Sequence, residues 1–337
     1  MRDVAKRAGV SIATVSFVLN DTKPVTPATR ERIELAMTEL GFRRNVVARA
    51  LASRRTRIIA MAYPALDHRF GFSAAEFFTS AAEVARKQDY HLVLWPVGND
   101  GGELTELVGQ ALVDGVVLME VQLEDPRIAV LQRTKTPFAL IGRTTALEGL
   151  IHVDIDFDTT IEDAVGYLHG LGHRRLVLVS GDLADPRFHT YGPYVRSEAA
   201  YRRVTAGYGI ETIVLECSDS TRTGREAATR LLRDHPETTA VLVLNEYSAL
   251  GVMSGLNRLG RRIPDEISVL SLMAPDTAAL SNPELTIMRT PGPELGRLGT
   301  EALIRQLEGA TPLPPPHLIP AKLHLGESTA PPPKEAS

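Results

Sequence analysis

The stretch AGVSIATVSFVLN, residues 8–20, decides how the amino-terminal end of the chain folds. At about 3.6 residues per turn, Ala13, Ser16, Phe17 and Asn20 share one stripe of a helix, while Val15, Val18 and Leu19 fall on the opposite side. The valine side is a core face. The other side carries a phenyl ring among hydroxyl and amide groups, and that ring needs an explanation.

Working outward, Val4, Ala5 and Ala8 form a first apolar stripe, Gly9 breaks it, and Ser11 is a good N-cap for the quoted helix. Asn20 to Pro24 reads as a turn. Thr26 followed by Pro27 marks a cap and first turn, and Ile33, Ala36, Met37 and Leu40 supply a third stripe that Gly41 ends. Three short helices with a tight glycine-containing turn between the first two are a helix-turn-helix arrangement.

The 337 residues leave room for two or three domains with proper cores. No run of about 18 apolar residues occurs and the amino terminus carries no signal-peptide apolar core, so membrane and secretory readings are set aside. The single cysteine, Cys217, cannot close an internal disulfide, which fits a cytoplasmic protein. The net charge of −4 hides an asymmetry: residues 1–57 hold twelve Lys and Arg against five Asp and Glu, and the remainder holds 25 against 36. A basic head on an acidic body suits a chain that meets a polyanion at one end; a solvated cationic surface is the plainer alternative.

From Arg57 onward, short apolar runs of the kind found in buried parallel strands occur at 58–63, 91–95, 115–119 and 138–142. A second set follows at 176–180, 212–215, 240–244 and 267–272, interleaved with helix patterns such as 222–234 and 247–259. Repeated β-α units of this kind predict two doubly wound parallel-sheet layers with a ligand cleft at the carboxyl ends of their strands. Prolines from Pro312 onward predict a disordered tail over 326–337.

Taken in order, DVAKRAGVSIATVSFVLN (3–20), VTPATRERIELAMTELGF (25–42) and NVVARALA (45–52) resemble the DNA-binding head and hinge of lactose-repressor-type (LacI/GalR family) transcription regulators. The likeness continues through LGHRRLVLVSG (171–181), AVLVLNEYSALGVM (240–253), IPDEISVLS (263–271) and LGTEAL (298–303), and so spans nearly the whole chain. It implies a small all-α head at 1–44, a hinge helix and linker at 45–57, and a periplasmic-binding-protein-like α/β body at 58–325. In that body one subdomain takes 58–151 and 289–317 and the other takes 152–288 and 318–325, with crossovers near 151–154, 282–290 and 316–320.

The resemblance further implies a cytoplasmic homodimer on double-stranded, near-palindromic operator DNA, with the second helix of each head in the major groove. By position, Ile12, Ala13 and Phe17 face base edges, while Ser11, Thr14, Ser16, Asn20, Thr26, Thr29 and Asn45 hold phosphates. Ala48 and Leu51 match the hinge positions that enter the minor groove, Leu51 as the wedge between base pairs. A leucine that only packs in a linker is the alternative. No cofactor and no metal is implied.

Several positions depart from the family pattern. Many relatives carry an arginine where Phe17 stands; a phenyl ring gives up a bidentate guanine contact but can meet a thymine methyl or exclude other bases by shape. Arg44 replaces a proline, and the chain opens inside what should be the first turn of helix one, so capping residues are expected upstream. For the effector, a sugar or related polar metabolite, the contacts implied are Tyr63, Phe72, Arg196, Asn245, Glu246 and Asp276. Arg196 sits one residue away from the family's arginine position, which leaves a structural role open. Glu246 replaces an aspartate and adds a methylene, which implies a pocket of different depth.

An enzyme is the weaker reading, because the sequence has no GxSxG, GxGxxG, GxxxxGK[ST] or HExxH pattern. His169 and His173 have an i,i+4 spacing, yet Gly170 and Gly172 interrupt the helix that would align them. A solute-binding receptor is the nearer rival for the body alone, but it leaves the basic three-helix head unused.

Overall fold

The computed structural model describes residues 1–20, 23–42, 55–64, 71, 73–311 and 315–333, with the backbone alone at Asn20. The chain divides into two compact units, Met1–Thr56 and Arg57–Ser337. Asn45, Ala48, Leu51 and Phe72 lie outside the described residues, as does the stretch expected to form the hinge helix.

The head contains α1 (Arg2–Ala8), α2 (Ile12–Asn20) and α3 (Pro27–Glu39). Gly9 turns the chain after α1 at φ 64°, a conformation that costs glycine nothing. The Ser11 hydroxyl accepts from Thr14 N at 3.0 Å and Thr26 does the same for Thr29 N at 3.3 Å, so the starts of α2 and α3 each have a side-chain cap. Val4, Ala5, Ala8, Val15, Val18, Leu19, Ile33 and Ala36 form one core. Each larger aliphatic among them contributes roughly 1.5–3 kcal/mol by leaving water, which is what holds so small a unit. Leu40, expected in the apolar stripe, is instead 46% exposed, because α3 ends at Glu39 and the chain has left the helical path there.

The body has two six-stranded sheets. In the first, β1 (Ile58–Tyr63), β2 (His91–Pro96), β3 (Gly115–Met119), β4 (Phe138–Ile141), β5 (His152–Ile155) and β11 (His317–Ile319) lie in the order β11-β5-β4-β3-β1-β2, all parallel. The second orders β12 (Lys322–His324), β10 (Thr286–Arg289), β9 (Ser268–Met273), β8 (Ala240–Val243), β6 (Leu176–Ser180) and β7 (Ile213–Glu216), with only the β10–β12 pair antiparallel. Helices cover both faces, and the central strands β3, β6, β8 and β9 are buried along their whole length. That double burial is why they read as unbroken apolar runs rather than alternating ones.

Five helices frame the cleft or its walls: α4 (Ala74–Lys87), α7 (Phe157–Gly170), α8 (Gly192–Gly207), α10 (Glu246–Arg258) and α12 (Gly292–Leu307). The crossovers set the subdomain limits a few residues from those expected. HVDI at 152–155 pairs with β4, so β5 belongs to the first sheet and the chain crosses at Asp156; likewise β11 keeps 317–319 in the first sheet and Arg289 ends a strand of the second. The expected disordered tail is also corrected over its described part. Ser328 is fully buried, donates to Val269 O and accepts from Thr286 N at 2.8 Å, and Ala330 N bonds to Ser268 Oγ at 3.0 Å, so 326–333 are stitched to the second sheet. Prolines forbid helix there, but they leave the carbonyls and the intervening Ser and Thr free to make these bonds.

Candidate DNA-reading helix and effector cleft

On α2 the sequence pattern is realised as two faces. Val15, Val18 and Leu19 are buried, whereas Ile12 is 47% exposed, Ala13 is exposed and Phe17 is half-buried. The Lys23 ammonium lies 5.1 Å from the Phe17 ring centroid, a cation–π distance that sets a positive charge beside the ring. Ser11 and Thr26 are exposed and Thr14, Ser16 and Thr29 half-buried, with Ser11 and Thr26 capping the starts of α2 and α3. Helix starts with hydroxyl caps are natural anion seats.

The cleft of the body lies where both sheets end at their carboxyl edges. Tyr63 closes β1, Glu120 follows β3, Asp154 sits in β5, and Asn245 and Glu246 follow β8. The two subdomains are joined across it at several places. Gln122 and Tyr191 form a short antiparallel bridge, supported by Leu123 N to Thr190 O at 2.7 Å and Gly192 N to Val121 O at 3.3 Å. On the other side the Glu246 carboxylate, at the start of α10, accepts from Ser73 N at 3.1 and 3.2 Å and from the Ser73 hydroxyl, at the start of α4.

One loop of the cleft is built with unusual care. Asp125 and Arg127 form an ion pair at 2.7 Å, both side chains fully buried. Arg127 Nη2 donates to the carbonyls of Met119 and Glu120 at 3.3 and 2.8 Å, and Asp125 accepts from Gln122 N at 3.1 Å. Clamped this way, Glu120 takes φ 53°, a left-handed conformation rare for a residue with a Cβ, and its side chain joins the cavity wall. Its Oε2 is shut off from solvent with no hydrogen-bond donor. Burial pushes the Glu120 pKa up to about 7, with Asp219, Asp154 and Glu246 adding to the rise and Arg127 opposing it.

Aromatic rings form much of the rest of the wall. Tyr191 and Tyr194 meet edge to face at 4.6 Å, and Phe188 lies 6.1 Å from each. Tyr194 comes in so closely over Gly181 that a Cβ there would sit 1.9 Å from its ring. Burial first, and then nearby acids, hold the Tyr63 and Tyr194 phenols well above the ordinary tyrosine range, so both are neutral hydrogen-bonding groups. Asn245 bonds to the Tyr194 hydroxyl and reaches Cys217 O at 3.5 Å.

The expected effector residues divide. Tyr63, Asn245 and Glu246 line the cavity. Arg196 does not: its guanidinium lies 3.5 Å from Asp154 and donates to Arg143 O, so it ties α8 of one subdomain to the other. With Arg143 also 3.2 Å from it, Asp154 is compensated from two sides, yet burial still raises its pKa to about 6. Asp276 is exposed on α11 (Pro275–Ala278) and absent from the lining, because that short helix carries its side chain outward. Glu120, Ser73, Asp219 and the Phe188, Tyr191 and Tyr194 trio were missed. A signal for Glu120 did exist, since it directly follows the GVVLM run at 115–119, where an open sheet presents its ligand contacts.

Residues 1–45 match the family described as "Bacterial regulatory proteins, lacI family", and residues 165–329 match "Periplasmic binding protein-like domain". Catabolite control protein A of Priestia megaterium is 27% identical over 315 residues, 92% of each chain. A solved complex of the transcriptional regulator CelR with cellobiose is similar at 25% identity and TM-score 0.71, over 97% of this chain and 98% of that one. A Lac repressor dimer bound to operator and the anti-inducer ONPF reaches TM-score 0.84 at 24% identity over the same shares, a likeness of fold. With its three-helix head joined to a two-sheet cleft body in one chain, the protein combines a DNA-binding domain of the lacI family of bacterial regulatory proteins with a periplasmic-binding-protein-like domain.

Proposed function

We propose that this chain is a cytoplasmic, sequence-specific transcription regulator, acting as a repressor, whose hold on operator DNA is set by a small polar effector in the body's cleft. The observation that carries the reading is the apolar, outward-facing trio Ile12, Ala13 and Phe17 on a helix whose reverse side is fully committed to the core. Those three meet base edges in the major groove. Ser11, Thr14, Ser16, Asn20, Thr26, Thr29 and Asn45 hold phosphates and set register, and Ala48 and Leu51 enter the minor groove at the operator centre. A homodimer supplies two such heads to a two-fold site.

In the body, Tyr63, Asn245 and Glu246 contact the effector, a sugar or related polar metabolite; the CelR relative is solved with cellobiose. Glu246 and the Gln122–Tyr191 bridge are contacts that a closed cleft keeps and an open one loses, so a ligand that favours either state shifts the spacing of the two hinges. The chain does no chemistry on that ligand.

The test is to select operators from random DNA with the full chain, then measure binding of the selected site against a fragment starting at residue 58. Salt-sensitive, sequence-selective binding by the full chain alone is expected. Equal DNA binding by both, or none by the full chain at low salt, would sink the regulator reading and leave a solute receptor.

A further inference from the structure

We infer that Glu120 is an effector-recognition residue and that the effector it selects carries a protonated amine. The inference rests on the cleft reading above and names the chemical class of its ligand.

The described cavity wall holds four carboxylates, from Glu120, Asp154, Asp219 and Glu246, and no Lys, Arg or His. The arginines nearby are committed elsewhere. Arg127 is spent on Asp125, and Arg143 and Arg196 flank Asp154. Glu246 takes its hydrogen bonds from Ser73 and from Ala274 N at 3.4 Å, all neutral donors. Asp219 is engaged in a contact of its own, and what remains is Glu120, with an oxygen closed off from water and no donor on it. A buried carboxylate oxygen left so is disfavoured and calls for a donor, and here the donor has to come from what the cavity holds.

The backbone argues that the placement is deliberate. A fully buried Asp125–Arg127 pair and a left-handed residue are both used to fix the 119–123 loop, and the side chain this loop delivers to the cavity is Glu120. Strain of this kind persists where the surroundings over-determine it, and it gathers at ligand sites.

The chemistry then selects the ligand. A neutral polyol offers hydroxyls that both donate and accept, and a wall suited to it mixes acceptors with donors. This wall has surplus acceptors and negative charge, which suits an ammonium with three donors and no acceptor. The aromatic trio adds ring edges and faces against which a sugar-sized ring or the cation itself can pack. A phosphorylated ligand meets four like charges and is excluded.

The experiment titrates the full chain calorimetrically with D-glucosamine, 6-amino-6-deoxy-D-glucose, D-glucose, cellobiose and D-glucose 6-phosphate. An amino sugar is expected to bind about tenfold or more tightly than its neutral counterpart. Glu120→Gln should erase that preference by weakening amine binding, and Glu120→Asp should keep part of it. Repeating the titration below pH 7 in buffers of different ionisation heat should show protons released on amine binding by the wild type and not by Glu120→Gln, a readout that a purely structural glutamate does not move. In this range Glu120 is set against Asp219, Asp154 and Glu246 on one side and Arg127 on the other, and Glu120 is the group the variant removes.

Amino and neutral sugars binding within twofold of each other, the phosphate ester binding best, no amine-bearing probe binding, or an amine preference untouched by Glu120→Gln would each overturn the inference. Operator binding measured on the same samples keeps the two readings apart. Cellobiose releasing DNA with no amine preference leaves the regulator reading intact and removes the amine; amine binding without any DNA binding does the reverse.

Discussion

Glu246 reaches across the cleft to Ser73, accepting from its backbone N–H at 3.1 and 3.2 Å and from its hydroxyl. The extra methylene relative to aspartate thus spans the gap between the start of α10 and the start of α4. Glu246→Asp should lose the contact and favour the open cleft. Hydrogen bonds to a charged acceptor are worth about 1.5–3 kcal/mol, so exchange of the Ser73 amide should quicken on the order of ten- to a hundredfold. Unchanged exchange would mean that the contact does not hold the cleft shut.

Most of the strands and all three head helices were legible because their signals are local: an apolar run, a capping hydroxyl, a Thr-Pro start. The strands at 152–155, 286–289, 317–319 and 322–324 were not, since HVDI and TIMR carry polar residues that the crossover region accommodates and the other two are three residues long. Tail residues such as Ser328 read as disorder on composition, and only the sheet edge beside them gives their hydroxyls partners. For the cleft, residue type was a weak guide. Arg196 and Asp276 have the right chemistry in the wrong direction, while Glu120 owes its position to the Asp125–Arg127 clamp several residues downstream.

Replacing the Phe17 ring tests the head directly. Phe17→Arg introduces a planar donor pair where a phenyl ring now stands beside Lys23. Selection from random DNA should move one half-site position toward guanine, with discrimination of about 1–3 kcal/mol for a good bidentate contact. If base preference stays the same, Phe17 is not on the reading surface.

Val15 is fully buried in the head core, and a carboxylate there has no cation to meet. Val15→Asp should unfold the head at neutral pH, because the penalty exceeds what a core of this size can absorb. As Met1–Thr56 and Arg57–Ser337 are separate compact units, the body's melting transition should stay while operator binding disappears. Loss of both transitions together would contradict that independence.

The buried Glu120 carboxyl also makes the body's stability depend on pH. Its pKa rises from an ordinary 4.5 to about 7 in the folded protein, so between those values the unfolded chain has lost a proton that the folded chain keeps. Stability from this group is therefore fully present below pH 4.5 and is lost as pH climbs through 7. Glu120→Gln should remove the slope, raising stability at pH 8 by at most about 3 kcal/mol and changing it little at pH 5. Denaturant melts at the two values check this, and an equal shift at both would assign the effect to packing instead.

Gly181, at the end of β6, leaves the space into which Tyr194 packs. A Cβ there would lie 1.9 and 2.1 Å from two ring carbons, far inside contact distance, so the ring has to shift to admit it. Gly181→Ala should cost about 1–3 kcal/mol through overpacking and should weaken effector binding by displacing the aromatic wall. The cause is separable from any backbone effect by a double-mutant cycle. Tyr194→Ala alone leaves a void, but in its presence the new methyl at position 181 has room, so the two changes together should cost less than their sum by about 0.5–3 kcal/mol. Strict additivity in urea melts would show that the ring is not what reserves this position for glycine.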